Sequence, residues 1–354
     1  MTGKIKVLIV DDSALIRQML TKMLTSDPSI DVVGTAPDPL TARTMIKQLN
    51  PDVLTLDIEM PRMDGLEFLE KIIALRPMPV VMISSLTQEG AEIALKALEI
   101  GAVDYIGKPT SDLQAGLTEK ASEIISKVKT ASRAKVHAKR PSSPKPIESK
   151  TFQHFTTTEQ IVCIGASTGG VEAIREVITA LPANFPAVMI TQHMPGTFTT
   201  SFANRLDGMS RISVCEAKQS QRVLPGHVYI APGEQHLELA RSGANYICKL
   251  TNDAPVSGHR PSVDVLMTSA AKVAGSNVIG VILTGMGRDG AEGMLHLRKA
   301  GAFTIGQDEA SSVVYGMPRV AFETGGIELQ VPLSQVASTL MKQLEKRDVR
   351  AIRI

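Results

Sequence analysis

Short apolar segments alternate with amphipathic segments along most of this 354-residue chain. In its first third, five of them have the character of strands: "KVLIV", "DVVGTA", "DVLTLD", "PVVMIS" and "DYIGKP". Helical patterns lie between them, such as "SALIRQMLTKMLTS" and "PLTARTMIKQL". The alternation returns further along with "QIVCIGA", "AVMITQH", "HVYIAP" and "VIGVILTG". Continuous apolar strands separated by helices are typical of a parallel sheet covered on both faces. The sequence therefore predicts two doubly wound α/β domains.

A basic segment separates the two patterns. Residues 127–150 hold eight Lys or Arg, three Pro, one Glu and almost no large apolar side chain. Such a composition buries too little apolar surface to order itself, which favours a linker over a folded element. We predict a first domain over residues 1–125, a linker over 126–156 and a second domain over 157–348.

Composition narrows the classes of function. Aromatic residues make up 3% of the chain, Trp is absent and the net charge is +2, which disfavours a nucleic-acid stacking surface. The three cysteines have no zinc-binding spacing and fit a reducing compartment. No apolar run is long enough for a signal peptide core or a membrane span. These features predict a cytoplasmic protein that neither binds nucleic acid nor inserts into membranes.

Polar residues follow the predicted strands of the first domain where each strand ends. They are Asp11 and Asp12, Asp57, Ser84, and Lys108. The carboxyl ends of parallel strands share one crevice, so these side chains are expected to converge there. Carboxylates that close repel one another unless a cation joins them, and such a set suits Mg²⁺. A carboxylate beside Mg²⁺ can accept a phosphoryl group, with Lys108 and Ser84 binding its oxygens.

The segments "VDDS", "LDIEMPRMDG", "ISS" and "DYIGKP" resemble those of response-regulator receiver domains, which have a flavodoxin-like fold. The resemblance covers essentially the whole first domain. It implies that Asp57 is the phosphoacceptor and that Asp11, Asp12 and Asp57 bind Mg²⁺. It also implies that Ser84 and Tyr105 form the switch pair and that Lys108 contacts the phosphoryl group. A receiver controls another activity, which should therefore lie downstream.

The segment "GASTGG" opens the second domain at a strand–turn–helix junction, and two hypotheses compete for it. A dinucleotide-binding turn would need the pattern GxGxxG, but Ser167 stands at the middle glycine. The ribose-binding acid expected about twenty residues later is replaced by His193 at the end of the next strand. The pattern G-x-S-x-G instead fits a nucleophile elbow that exposes Ser167 at the sheet edge.

Two further residues favour the elbow. His193 follows the strand "AVMIT" and Asp289 follows "VIGVI", so parallel pairing would bring both to the edge that carries Ser167. Ser167 would attack an ester carbonyl, His193 would transfer its proton and Asp289 would orient the imidazole. Backbone N–H groups of the "STGG" turn, including Thr168, and of the "TGMGRDG" loop are candidate oxyanion donors. A rival set, Ser167, Asp264 and His296, is disfavoured because His296 lies within a predicted helix.

The segments "GASTGG", "QHMP", "HRPSVDVL", "LTGMGRDGAEG" and "VVYGMPR" resemble those of the bacterial chemotaxis protein-glutamate methylesterases. The resemblance implies a phosphorylation-regulated, Rossmann-like serine esterase that hydrolyses γ-glutamyl methyl esters on chemoreceptors, releasing methanol, and deamidates receptor glutamines. It also implies an oxyanion donor at the Met286 backbone, a chemotaxis histidine kinase as phosphodonor, chemoreceptors as substrates and hydrolysis without a cofactor.

Two alternative functions make different demands on the sequence. A transcriptional or RNA-binding regulator should have a helix-turn-helix or an aromatic-basic surface after the linker, and the sequence offers neither. A nucleotide-binding regulator without hydrolysis would need the middle glycine and the ribose acid that are missing. The regulated esterase is therefore the favoured interpretation.

Overall fold

The computed structural model describes residues 3–60, 64–85, 87–108, 121–136 and 160–351. The chain divides into two compact units, Met1–Ser143 and Pro144–Ile354. Within the described ranges, no helix combines the length and the apolarity that a membrane crossing requires.

The first unit is a five-stranded sheet with helices between its strands. Its described elements are β1 (Ile5–Val10), α1 (Ala14–Leu24), β2 (Ile30–Ala36), α2 (Pro39–Leu49), β3 (Val53–Asp57), α3 (Gly65–Leu75), β4 (Val80–Ser85), α4 (Gln88–Ile100), β5 (Asp104–Lys108) and α5 (Ala121–Ala131). The strands run parallel in the order β2-β1-β3-β4-β5. This is the flavodoxin-like order, and its carboxyl ends form one crevice.

Local sequence explains why these helices begin where they do. The side chains of Ser13, Asp38, Asp64 and Thr87 each accept a hydrogen bond from a first-turn N–H group. Such capping satisfies donors that the helix itself cannot pair. Because each cap stands just after a strand or its loop, the chain turns from sheet to helix at a fixed place.

The second unit is larger and contains a hairpin in addition to its main sheet. Its elements are β6 (Ile161–Ala166), α6 (Gly170–Thr179), β7 (Ala187–Gln192), α7 (Gly196–Met209), β8 (Ser213–Glu216), β9 (His227–Ile230), β10 (His236–Ser242), β11 (Asn245–Thr251), α8 (Val263–Ala274), a 3₁₀ turn (Gly275–Asn277), β12 (Val278–Ile282), α9 (Ala291–Lys299), β13 (Phe303–Gln307), α10 (Met317–Glu323), β14 (Leu329–Val331) and α11 (Leu333–Ala351).

Seven of these strands form one parallel sheet in the order β14-β13-β12-β6-β7-β9-β8. The chain leaves β6 toward β7 on one side, and β12 later returns to pair with β6 on the other. The carboxyl ends of β6 and β12 therefore flank the point where the strand order reverses, which is where open α/β sheets bind their ligands. The antiparallel hairpin β10–β11 stands apart from this sheet.

Both predicted parallel α/β domains are thus confirmed, and every predicted strand is present with ends that differ by at most three residues, apart from Pro109, which lies outside the described ranges. The structure adds strands that the sequence analysis did not name: β8, β10, β11, β13 and β14. β8 and β14 are short and border the sheet, and β10 and β11 lie outside it, so these four lack the continuous apolar character of the central strands.

The start of the predicted linker differs from the structure. Helix α5 continues to Ala131, with Val128 and Ala131 buried, so the boundary at residue 125 falls inside a helix. The lysines that suggested a linker lie on this helix as partners of acids: Lys127 pairs with Asp104 and Lys129 with Asp27. Residues 137–156 of the predicted linker lie outside the described ranges.

Candidate functional site

Three carboxylates converge at the carboxyl edge of the first sheet. Asp11 and Asp57 are buried and Asp12 is exposed, and one oxygen from each lies within 4.8 Å of the others. Lys108 from β5 joins them, with its ammonium 2.8 Å from Asp57 Oδ1 and 3.3 Å from Asp11 Oδ2. The acids and the lysine thus lie together at the carboxyl ends of the parallel strands, as the sequence predicts.

Burial makes the ionised form of Asp57 costly. It raises the pKa of Asp57 to about 6, and the neighbouring Asp11 adds to this, while the Lys108 ammonium opposes it. Burial lowers the pKa of Lys108, but its two acidic partners outweigh that effect and raise it overall. The positive charge of one ammonium therefore does not fully offset the cost of burying two ionised carboxylates.

The same carboxylates have capacity for a further cation. Apart from the ion pairs with Lys108, neither Asp11 Oδ2 nor Asp57 Oδ1 has a hydrogen-bond donor among the described residues. Buried carboxylate oxygens normally require a donor or a metal ion. Three oxygen donors at this spacing fit Mg²⁺, which binds to one or two carboxylates and retains waters.

Ser84, near the carboxyl end of β4, and Tyr105, near the start of β5, are both buried. The Ser84 hydroxyl donates to the carbonyl of Gly90, 2.9 Å away. Burial raises the pKa of Tyr105 well above its usual range, and Asp104 and Glu123 add to the effect. Lys127 donates to the Tyr105 carbonyl at 2.6 Å and lies 4.8 Å from its ring centroid. Helix α5 thereby fixes the backbone of the aromatic residue.

Ser167 lies in the turn between β6 and α6 in the second unit. Gly169 has a φ of 77°, a conformation that a side chain disfavours, and a Cβ there would lie 2.7 Å from Val313. This glycine allows the chain to reverse sharply within three residues of β6. The turn is closed by the N–H of Gly170, which donates to the Ser167 carbonyl at 2.7 Å.

The loop after β12 holds this turn in place. The Ser167 N–H donates to the carbonyl of Thr284 at 3.1 Å, and the Thr284 hydroxyl donates to the carbonyl of Thr168 at 3.0 Å. Gly285 comes so close that a Cβ on it would lie 2.8 Å from Ser167 Cβ. Met286, the next residue, is therefore adjacent to the serine turn.

His193 and Asp289 form the second half of this site. His193 Nε2 lies 2.7 Å from Asp289 Oδ2, although the residues are 96 positions apart. The N–H of His193 donates to the carbonyl of Ala166, the residue before Ser167, at 3.2 Å. His193 Nδ1 is buried without a hydrogen-bond partner among the described residues. With Nε2 bonded to the acid, Nδ1 is the nitrogen left to accept a proton.

The N-terminus of α8 surrounds the Asp289 carboxylate with donors. The Ser262 hydroxyl and the Val263 N–H lie 2.7 Å from its oxygens, and the Asp264 N–H lies 3.1 Å away. Burial favours the neutral acid, but His193 and these donors outweigh it and lower the pKa of Asp289. A helix N-terminus stabilises a carboxylate in this way, so Asp289 is a fixed anion.

The rival set is not brought together. His296 lies on α9 with its side chain 41% exposed, and its Nδ1 is 3.1 Å from the Thr268 hydroxyl. The Asp264 carboxylate accepts from the Gly293 N–H at 2.8 Å, and the Asp264 N–H donates to Asp289 at 3.1 Å. The geometry favours His193 and Asp289.

Both halves of the chain match known protein families. Residues 162–340 match the family model "CheB methylesterase", and residues 7–121 match "Response regulator receiver domain". A protein-glutamate methylesterase/protein-glutamine glutaminase 2 of Cupriavidus pinatubonensis is 56% identical over 353 residues, which covers 99% of each chain.

This chain belongs to the CheB methylesterase family. A relative from Chromohalobacter salexigens, also named a protein-glutamate methylesterase/protein-glutamine glutaminase, is 56% identical and covers 97% of each chain. The solved CheB methylesterase catalytic domain of Thermotoga maritima is 38% identical, with a TM-score of 0.52, and covers 53% of this chain and 100% of its own.

Sequence reasoning missed two residues that contact the candidate site. Ser262 was not named, although it stands before an apolar helical segment and so fits a helix N-cap. His259 was not named either, because a single histidine in a loop carries no pattern. The segment "HRPSVDVL" that contains both had been noted only for its resemblance to the family.

Proposed function

We propose that this protein is a phosphorylation-regulated protein-glutamate methylesterase that acts in chemotactic adaptation, with Ser167, His193 and Asp289 as its catalytic residues. The family supplies the activity. The proposal for the residues is carried by one observation: the Ser167 turn and the His193–Asp289 pair lie at the same edge of one sheet, joined through Ala166 and Thr284.

In the proposed reaction, the Ser167 hydroxyl attacks the carbonyl carbon of a γ-glutamyl methyl ester as His193 Nδ1 accepts its proton. Asp289 stabilises the resulting imidazolium through Nε2–H. The proton then passes to the methoxy oxygen, the C–O bond breaks and methanol leaves an acyl-serine. Water, deprotonated by His193, attacks the acyl carbon and releases the glutamate and Ser167.

Backbone N–H groups of Thr168 and Met286 are proposed to bind the oxyanion of each tetrahedral intermediate. Their loops are fixed to each other by the Thr284 hydrogen bonds, so both donors would be positioned before substrate arrives. The same geometry accepts a glutamine side-chain amide, with ammonia in place of methanol as the leaving group. This accounts for protein-glutamine glutaminase activity at one site.

The first unit is proposed to accept a phosphoryl group on Asp57. Asp11, Asp12 and Asp57 would hold Mg²⁺, which when bound neutralises charge on the phosphoryl oxygens. Lys108 would contact the phosphoryl group, and Ser84 would bind it after leaving Gly90, with Tyr105 as the second switch residue. The proposed phosphodonor is the histidine kinase of a chemotaxis system.

Chemoreceptor cytoplasmic segments are the proposed substrates, and we infer a cytoplasmic location. The three cysteines are all free thiols, which fits a reducing compartment. We also propose that the domain division follows the two units, with the linker starting after α5 and the catalytic domain spanning about 157–348.

The test is methanol release from methylated receptor cytoplasmic fragments, with Mg²⁺ and acetyl phosphate as phosphodonor. Wild type, Ser167→Ala, Asp57→Ala and the exposed-site control Glu292→Gln would be compared as full chains. We expect no release from Ser167→Ala, and we expect acetyl phosphate to accelerate wild type and the control but not Asp57→Ala. Unchanged methanol release by Ser167→Ala would refute the assignment of Ser167 as the nucleophile.

A further inference from the structure

A second histidine lies against the ring of the proposed base. The imidazoles of His193 and His259 are stacked, with centroids 3.7 Å apart and planes 12° from parallel. We propose that His259 is a positioning residue, which fixes the plane of the His193 ring and stabilises its imidazolium form. The inference rests on the proposed function of His193 and goes beyond it, because a triad needs no fourth side chain.

One hydrogen bond cannot fix the His193 ring. The bond from Nε2 to Asp289 holds one atom, and Nδ1 has no partner among the described residues. The ring can therefore tilt about Nε2, and a tilt moves Nδ1 relative to Ser167. A flat neighbour at 3.7 Å removes that freedom, since a tilted ring would collide with it. The stack supplies the constraint that the hydrogen bond lacks.

Hydrogen bonds hold the backbone on both sides of His259 in place. Val256 and His259 exchange two backbone hydrogen bonds, of 3.1 and 2.9 Å, around a two-residue turn. Ser257 and Gly258 both have positive φ, 53° and 80°, as a type I′ hairpin turn requires. Next in the chain, Arg260 donates to the carbonyls of Asn252 and Asp253, at 3.1 Å each.

The charge state of His259 suits this role. Burial and the adjacent His193 lower the pKa of His259 to about 4, against the opposing effect of Asp289. His193 and Asp289 are the two titratable groups that shift the pKa of His259. A neutral ring does not repel the imidazolium that forms during the reaction, and its π face attracts a cation. His259 therefore favours the charged form of His193 without competing for its proton.

The segment that carries His259 also holds the acid. Three residues further on, Ser262 begins the helix N-terminus that donates to Asp289. One short segment thus contacts both proposed partners of Ser167: His259 stacks on His193, and Ser262, Val263 and Asp264 donate to Asp289.

Two variants of similar volume distinguish the effect of a flat aromatic ring from the effect of filling the same space. His259→Phe keeps a flat aromatic face but cannot titrate, whereas His259→Leu fills the space without one. With methylated receptor fragments, we expect His259→Phe to retain kcat within about threefold. We expect His259→Leu to lose on the order of tenfold in kcat with KM unchanged, or about 1.4 kcal/mol. Thermal unfolding of the two variants should agree.

NMR titration of the His193 ring in the full-length variants needs no substrate. The two replacements desolvate His193 alike, so a higher pKa of His193 in His259→Phe than in His259→Leu would support the proposal. Equal titrations and equal kcat would overturn it, as would a His259→Phe variant as inactive as Ser167→Ala. If wild type and Ser167→Ala release equal methanol, the proposed function fails, while the titration still decides the role of His259.

Discussion

At the scale of single residues, Asp289 serves only as an acceptor. Four donors converge on its two oxygens, from His193, Ser262, Val263 and Asp264. An amide in its place would point an NH₂ group at one of these donors or force His193 into the other tautomer. We expect Asp289→Asn to lower kcat by about 10³- to 10⁴-fold. Methanol release would measure this, with the exposed Glu292→Gln as control, and activity within tenfold of wild type would contradict it.

The environment of Asp57 predicts how the stability of the first unit depends on pH. Its pKa of about 6 in the folded state lies above the ordinary 3.8, so the folded form binds more protons between those values. Its contribution to stability is therefore present below pH 3.8 and is lost as pH rises through 6, by up to about 3 kcal/mol. In metal-free buffer, Asp57→Asn should thus gain stability relative to wild type between pH 4 and pH 7.

Scanning calorimetry of the full chain would follow the receiver transition. Asp31→Asn, a charge removal at an exposed position of β2, is the matched control and should show no such pH trend. If Asp57→Asn differs from wild type equally at both pH values, burial does not dominate the Asp57 environment. Mg²⁺ should reduce the difference at pH 7, because it binds the ionised carboxylates.

At the scale of elements, the elbow depends on Gly169. Its positive φ disfavours a side chain, and a Cβ would also come within 2.7 Å of Val313. Gly243, in the β10–β11 turn, shares the positive φ but has nothing within 4 Å of the same position. Gly243→Ala should cost about 1–2 kcal/mol of stability, whereas Gly169→Ala should cost more and reduce esterase activity at least tenfold.

Chemical denaturation and methanol release on both variants would test this pair. Equal losses of stability with full activity in Gly169→Ala would mean that the turn tolerates the added methyl group and that the elbow is not tightly constrained.

The elements also show which parts of the site a sequence can reveal. Asp57, Ser167 and His193 follow continuous apolar strands, so the sheet topology alone predicts that each group meets its partners. Ser262 reaches Asp289 because the N-terminus of α8 lies against the loop after β12, a tertiary contact that no local pattern encodes. His259 depends on a two-residue turn in a polar stretch, where propensity permits many conformations.

At the scale of the whole molecule, the position at which α5 ends predicts where a protease first cuts the chain. Lys127 and Lys129 lie on α5 and pair with acids, whereas Arg133 and Lys135 beyond it are exposed. Brief trypsin treatment should therefore cut at Arg133 or later in the basic segment, which mass spectrometry of the first products would identify. An early fragment ending at Lys127 would restore the linker boundary predicted from composition.

The position of β12 in the second sheet affects the order in which the two units can fold during synthesis. Its partner β6 lies more than a hundred residues earlier, and the loop after β12 both anchors Ser167 and carries Asp289. The first sheet pairs strands that are close in the chain and precedes β6 entirely. During synthesis the receiver unit can fold before the residues of the esterase site have all been made. Each new molecule therefore acquires the means of its control before it acquires the activity to be controlled.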